Sequence, residues 1–120
     1  MINYDRDDLL TDFGKTTLKD RYLLPEEASP QDGFMRAAKA FSDNDEMAER
    51  IYNYASKLWF MYSTPILSNG GTKRGMPISC FLNEASDSLG GILDLWSENV
   101  WLAAKGGGIA IQGLGFKGVR

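Results

Sequence analysis

The feature that most constrains this chain is the density of proline, glycine and small hydroxyl residues across residues 63–113. The stretch opens with Ser63-Thr64-Pro65, passes through Asn69-Gly70-Gly71, Gly75 and Pro77, and reaches Gly106-Gly107-Gly108. Pro65 disfavours helical geometry at Thr64 and has no amide proton to donate, so a helix running into Ser63 is expected to stop there. Asn69-Gly70-Gly71 tolerates positive φ and reads as a turn. The stretch also holds the single cysteine, Cys80, directly after Ser79. Hydroxyls, a thiol and backbone without Cβ atoms lie close together in sequence, which suits an anionic ligand beside redox chemistry.

The residues before this stretch follow a different rule. Residues 1–20 are polar with scattered Leu9, Leu10 and Phe13, and read as a short helix or an arm that docks on something else. Residues 21–27 read as extended and then turning, because Pro25 biases Leu24 away from the α region. Ser29-Pro30-Gln31-Asp32 is a helix start: a capping serine, a proline at the first helical position and an acid at the positive end of the dipole. Phe34, Ala37, Ala38 and Phe41 follow at helical spacing, and Ser42-Asp43-Asn44-Asp45 ends the run. A second helix is expected over residues 45–62, with Met47, Ile51, Tyr54, Leu58 and Tyr62 on its apolar face.

Beyond Gly75 the period changes. Residues 76–83 read as a strand, with Ile78, Cys80 and Leu82 on one face and Ser79 and Phe81 on the other. Asp87 or Ser88 can cap a third helix. Its apolar residues fall into two sets: Leu89, Ile92, Leu93, Trp96 and Val100, then Leu95, Trp101 and Leu102. A helix apolar on two sides requires partners on both. The glycine triplet ends that helix, and Ile109-Ala110-Ile111 begins a strand. This order is the reverse of a dinucleotide-binding fingerprint, in which the glycines follow a strand and open a helix.

Composition excludes several functions. A net charge of −3 gives no electrostatic footprint for nucleic acid. Neither a membrane span nor a secretory signal is present, and one cysteine makes no internal disulfide, so a cytoplasmic protein is expected. Zero histidines remove the usual zinc sites, and no metal site is expected.

Four blocks in order resemble the large, catalytic subunit of ribonucleotide reductase: Ser63-Thr64-Pro65, Ser79-Cys80-Phe81-Leu82, Asp87-Ser88-Leu89-Gly90-Gly91-Ile92 and Gly106-Gly107-Gly108-Ile109. Arg21-Tyr22-Leu23-Leu24 and the helical run after it resemble the segment preceding that family's barrel. The resemblance implies an α/β fold, mostly helical in this fragment. An N-terminal helical region over residues 1–62 leads into the first strands and helix of a ten-stranded α/β barrel over residues 63–120.

The resemblance also implies roles. Cys80 matches one of two reducing cysteines; Thr64 matches the threonine that binds the substrate diphosphate; Ser79, Gly107 and Gly108 match positions beside the substrate. Asp87, Ser88 and Leu89 match the site of the allosteric nucleotide that selects substrates, and Lys117 lies near a basic position that reaches this effector. Residues 112–119 depart from the family pattern, and Ala110 stands where glycine is usual. The whole enzyme reduces ribonucleoside diphosphates by radical chemistry. Its radical source is a metal-bearing partner subunit or adenosylcobalamin, and no cofactor is expected on this fragment.

The second thiol is absent from this chain, so the expected partners begin with a complementary C-terminal reductase fragment. A thioredoxin-type reductant, a radical-generating subunit, and nucleotide substrate and effector complete the set. The third helix matches an interface helix, which implies a homodimer; burial inside one larger domain is the other reading. By itself the chain is expected to be inactive. The alternative function is a non-catalytic interaction module that docks on an intact reductase.

Overall fold

A computed structural model describes residues 1–113, which form two compact units, Met1–Pro77 and the part from Ile78 onward. The units divide at Pro77, and the segment following Pro65 packs with the helices before it.

In the first unit the amino-terminal arm is ordered against the rest. A 3-10 helix over Tyr4–Leu9 leads to α1, Asp12–Arg21, capped by Thr11. Arg21, expected in an extended segment, lies in the last turn of α1. Helix α2, Pro30–Ala40, carries the full capping box: the Ser29 side chain accepts from the helix amides while Asp32 reaches back to the Ser29 amide. It buries Phe34, Ala37 and Ala38. Asp7 of the 3-10 helix accepts hydrogen bonds from Ser29 Oγ at 2.6 Å and Gln31 Nε2 at 2.9 Å, and Tyr52 Oη donates to Gln31 Oε1 at 2.9 Å. Gln31 is fully buried, so this chain of donors satisfies a group that would otherwise destabilise the core.

Helix α3, Asp45–Ser56, is capped by Asn44 and stops well short of Tyr62. Its buried residues are Ala48, Tyr52, Ala55 and Ser56, whereas Met47, Tyr54 and Leu58 of the expected face are exposed. Tyr52 joins Phe34, Ala37 and Ala38 of α2 in the core cluster, and of the expected face Ile51 and Tyr62 pack against that cluster while half-exposed. The helix ends in a Schellman motif. Leu58 N–H donates to Ala55 O and Trp59 N–H to Tyr54 O, both at 3.0 Å, with Leu58 at φ 60°. Tyr54 and Trp59 stack at 5.3 Å across the motif.

Pro65 starts a helix where it was expected to stop one. Ser63 takes the extended cap conformation, and α4, Thr64–Asn69, has the proline in its first turn, where a missing amide proton costs nothing. Leu67 anchors α4 in the core at 2% exposure. Arg36 of α2 ties this unit together from within. Its guanidinium meets Glu27 (Nε–Oε1 2.6 Å, Nη2–Oε2 3.3 Å) and donates to Gly70 O at 2.6 Å and Tyr22 O at 3.3 Å.

The second unit is a β–α–β element: β1, Cys80–Ala85; α5, Leu89–Ala104; β2, Gly108–Gly113. The strands are parallel, in the register Cys80↔Gly108 to Ala85↔Gly113. Parallel neighbours need a crossover between them, and α5 provides it. Strand β1 begins later than the sequence implies, since its described pairing with β2 opens at Cys80↔Gly108. Both strands pack against α5. Leu95 is its buried residue, flanked by half-buried Ile92, Asn99 and Leu102. The two expected apolar sets are thus redrawn: Ile92 joins Leu95 on the covered side, and Trp101 joins the exposed one. Leu89, Leu93, Trp96, Val100 and Trp101 are 59–69% exposed. No helix among the described residues is long and apolar enough to cross a membrane.

Candidate functional site

Alternation along β1 decides which side chains are free. Phe81, Asn83 and Ala85 are at least half-buried, and the Asn83 amide donates to Asn99 Oδ1 of α5 at 2.7 Å. Cys80, Leu82 and Glu84 therefore project from the other face, and all three are exposed. Cys80 is a free thiol with its Sγ 3.8 Å from Ser79 Oγ. A thiol walled into the core would be inert; this one is open to a reactant.

The glycine triplet builds the neighbouring strand's entry. Gly106, at φ +84°, is the left-handed residue of a second Schellman motif: Gly106 N–H donates to Ala103 O and Gly107 N–H to Leu102 O, both at 2.9 Å. A Cβ on Gly107 would sit 2.7 Å from the Phe81 ring, so only glycine allows β2 to close on β1 here. Gly108 donates its amide proton to Ser79 O and stands opposite Cys80. Residues opposite one another in a parallel pair share a face, so the missing side chain at Gly108 leaves the flank of the Cys80 thiol clear.

Ser79, Cys80, Gly107 and Gly108 are accordingly brought together at one end of the strand pair. Asp87, Ser88 and Leu89 are not: they follow the other end of β1, six residues and about 20 Å away. Ser88, rather than Asp87, caps α5, accepting from Gly91 N–H at 3.0 Å. This leaves the exposed Asp87 carboxylate out of the cap. Thr64 belongs to the first unit, exposed at the start of α4, with its Oγ1 3.2 Å from Tyr22 Oη. Lys117 lies outside the described residues. Sequence reasoning passed over the contacts of Tyr22 and Phe81, although Arg21-Tyr22-Leu23-Leu24 and Ser79-Cys80-Phe81-Leu82 both stood out as motifs.

Comparison with known proteins converges on one family. The family profile "Ribonucleotide reductase, all-alpha domain" matches residues 8–75, nearly the span of the first compact unit. The ribonucleoside-diphosphate reductase large subunit of Invertebrate iridescent virus 3 is 41% identical over 97% of this chain. The chain belongs to the ribonucleotide reductase large-subunit family. A second such subunit, from Invertebrate iridescent virus 6, is 37% identical over 98% of the chain. Among solved structures, the class Id ribonucleotide reductase alpha subunit of Actinobacillus ureae superposes with a TM-score of 0.73 at 28% identity, over 92% of this chain. The chain spans 18% and 12% of the two viral subunits and 21% of the bacterial one. Its α/β, mostly helical architecture agrees with the family expectation.

Proposed function

We propose that this chain supplies part of the catalytic centre of a ribonucleoside-diphosphate reductase, with Cys80 as one of two reducing thiols. The observation that carries the reading is the exposed Cys80 thiol, paired across a parallel ladder with a glycine that leaves its flank open. In the net reaction the ribose C2′–O bond breaks and the oxygen leaves as water. Two thiols give up two electrons and two protons and close to a disulfide. Cys80 is one; the other lies outside these 120 residues. Thr64 donates its hydroxyl to the diphosphate, and Ser79, Gly107 and Gly108 line the approach to the sugar. The strand pair begins the ten-stranded barrel.

Asp87, Ser88, Leu89 and Lys117 contribute to the site of the allosteric nucleotide, remote from the thiol along β1. The exposed apolar stripe of α5 forms a homodimer contact. Radical chemistry enters from a partner subunit or adenosylcobalamin, and a thioredoxin-type reductant restores the thiols. The chain alone is inactive.

The test mixes this chain with a polypeptide supplying the remainder of the Invertebrate iridescent virus 3 large subunit and that enzyme's radical source. Conversion of CDP to dCDP is expected only with both pieces present, and is abolished by Cys80→Ser. Turnover that survives Cys80→Ser refutes the reading. A second reading, a non-catalytic module docking through α5, is favoured if that variant is neutral while Trp96→Ala alters assembly of an intact reductase.

A further inference from the structure

We propose that Tyr22 is a positioning residue for Thr64, fixing its hydroxyl for an anionic phosphate oxygen; this rests on the diphosphate role given to Thr64 above. The two hydroxyls are 42 positions apart in sequence and 3.2 Å apart in space. Neither partner is placed by chance. The Tyr22 ring packs on the core cluster that contains Leu18 and Leu67. Its carbonyl accepts from Arg36 Nη2 at 3.3 Å, and the same guanidinium donates through Nη1 to Gly70 O, just past the end of α4. The helix that carries Thr64 and the residue that carries the phenol therefore hang on one buried ion pair with Glu27.

The direction of the bond follows from the inventory of donors. A threonine hydroxyl has one proton and two lone pairs. A phosphate oxygen only accepts, so with phosphate bound Thr64 must spend its proton outward. The phenol then donates to Thr64 Oγ1, and the two-donor chain strengthens the outer bond by polarisation. Without the phenol, Thr64 is an exposed side chain with no such partner, and its rotamer averages.

The experiment uses the full 120-residue chain. Three-bond couplings to the Thr64 methyl group report its χ1 rotamer, and inorganic pyrophosphate serves as the phosphate probe. The parent is expected to hold one rotamer. Tyr22→Phe is expected to show rotamer averaging and about five-fold weaker pyrophosphate binding, the worth of one ordinary hydrogen bond, with an unchanged unfolding midpoint. Should Tyr22→Phe fold poorly, Thr64→Val reads the contact from the other side, through a shift of the Tyr22 ring resonances. A single Thr64 rotamer in Tyr22→Phe, or unmoved Tyr22 resonances in Thr64→Val, overturns the proposal. A pyrophosphate response identical in the parent and in Thr64→Ala removes instead the phosphate role of Thr64, and the coupling data still decide whether Tyr22 positions it.

Discussion

Replacing Arg36 by methionine tests what holds the first unit together. The side-chain volume is nearly kept, so packing changes little, but four hydrogen bonds disappear: two to Glu27, one to Gly70 O and one to Tyr22 O. The Glu27 side chain is 9% exposed and keeps the Leu24 amide at 2.8 Å as a partner. Removing one member of such a pair leaves an uncompensated buried charge, which costs about 3–5 kcal/mol. At ~0.05–0.15 kcal/mol per residue, the 77 residues of Met1–Pro77 have about 4–12 kcal/mol in all. The variant is thus expected to lose about a quarter or more of the unit's stability. With a urea slope of about 1.5 kcal/mol per molar, its helical unfolding midpoint should fall by about 2–3 M. Neutralising the stranded acid in Arg36→Met/Glu27→Gln should recover part of that loss. Amide exchange at Gly70, the C-cap of α4, should accelerate in the single variant. A midpoint shift below about 0.5 M would place the pair among ordinary surface ion pairs and would remove the basis for α4 and Tyr22 sharing one anchor.

Two further expectations concern single side chains. Leu58→Gly should stabilise the first unit by about 1 kcal/mol, since it relieves a left-handed leucine at a position where glycine carries no Cβ penalty and only a partly exposed side chain is lost; an unchanged or lower urea midpoint would contradict this. Burial pushes the Tyr62 phenol well above its ordinary value of 10.0, and its hydroxyl donates to Phe34 O at 3.2 Å. The folded state holds that proton more tightly, so its contribution is intact below about pH 10 and is lost as pH rises toward the folded value; Tyr62→Phe should flatten the alkaline limb of stability measured between about pH 8 and 11.

The caps were legible in the sequence because capping is local. Ser29 and Ser88 each accept a hydrogen bond from an amide within three residues, so residue type and position find Ser29 outright and narrow the cap of α5 to Asp87 or Ser88, between which the structure selects Ser88. The end of α3 was hidden for the complementary reason. Its stop is a Schellman motif built on a leucine, and the usual glycine signal is missing. The core-facing side of α3 was hidden too. The expected stripe ran through Met47, Ile51, Tyr54 and Leu58, but the buried set is Ala48, Tyr52 and Ala55, turned by one position round the helix on which α2 packs. That choice depends on two helices at once and cannot be read from either alone. Pro65 was misjudged by context: the rule that proline breaks helices and the rule that it opens them share one residue, and only the extended Ser63 before it selects between them.

The site divides along the same line between local and non-local. The glycine triplet could be read as both a helix end and a close approach, and each glycine takes a separate part: Gly106 the left-handed turn, Gly107 the space for Phe81, Gly108 the rung opposite Cys80. What sequence could not supply was the parallel register, which alone sets that thiol beside that glycine across a helical crossover. Register also separates the two proposed nucleotide sites. Cys80 and Asp87 are seven positions apart, which in a helix would set them two turns apart on one face. In a strand running into a capped helix they fall at opposite ends of one element. The proposed reducing thiol and the proposed effector contacts therefore stand at opposite ends of β1, and α5 runs from the Ser88 cap back to the glycine triplet beside the thiol.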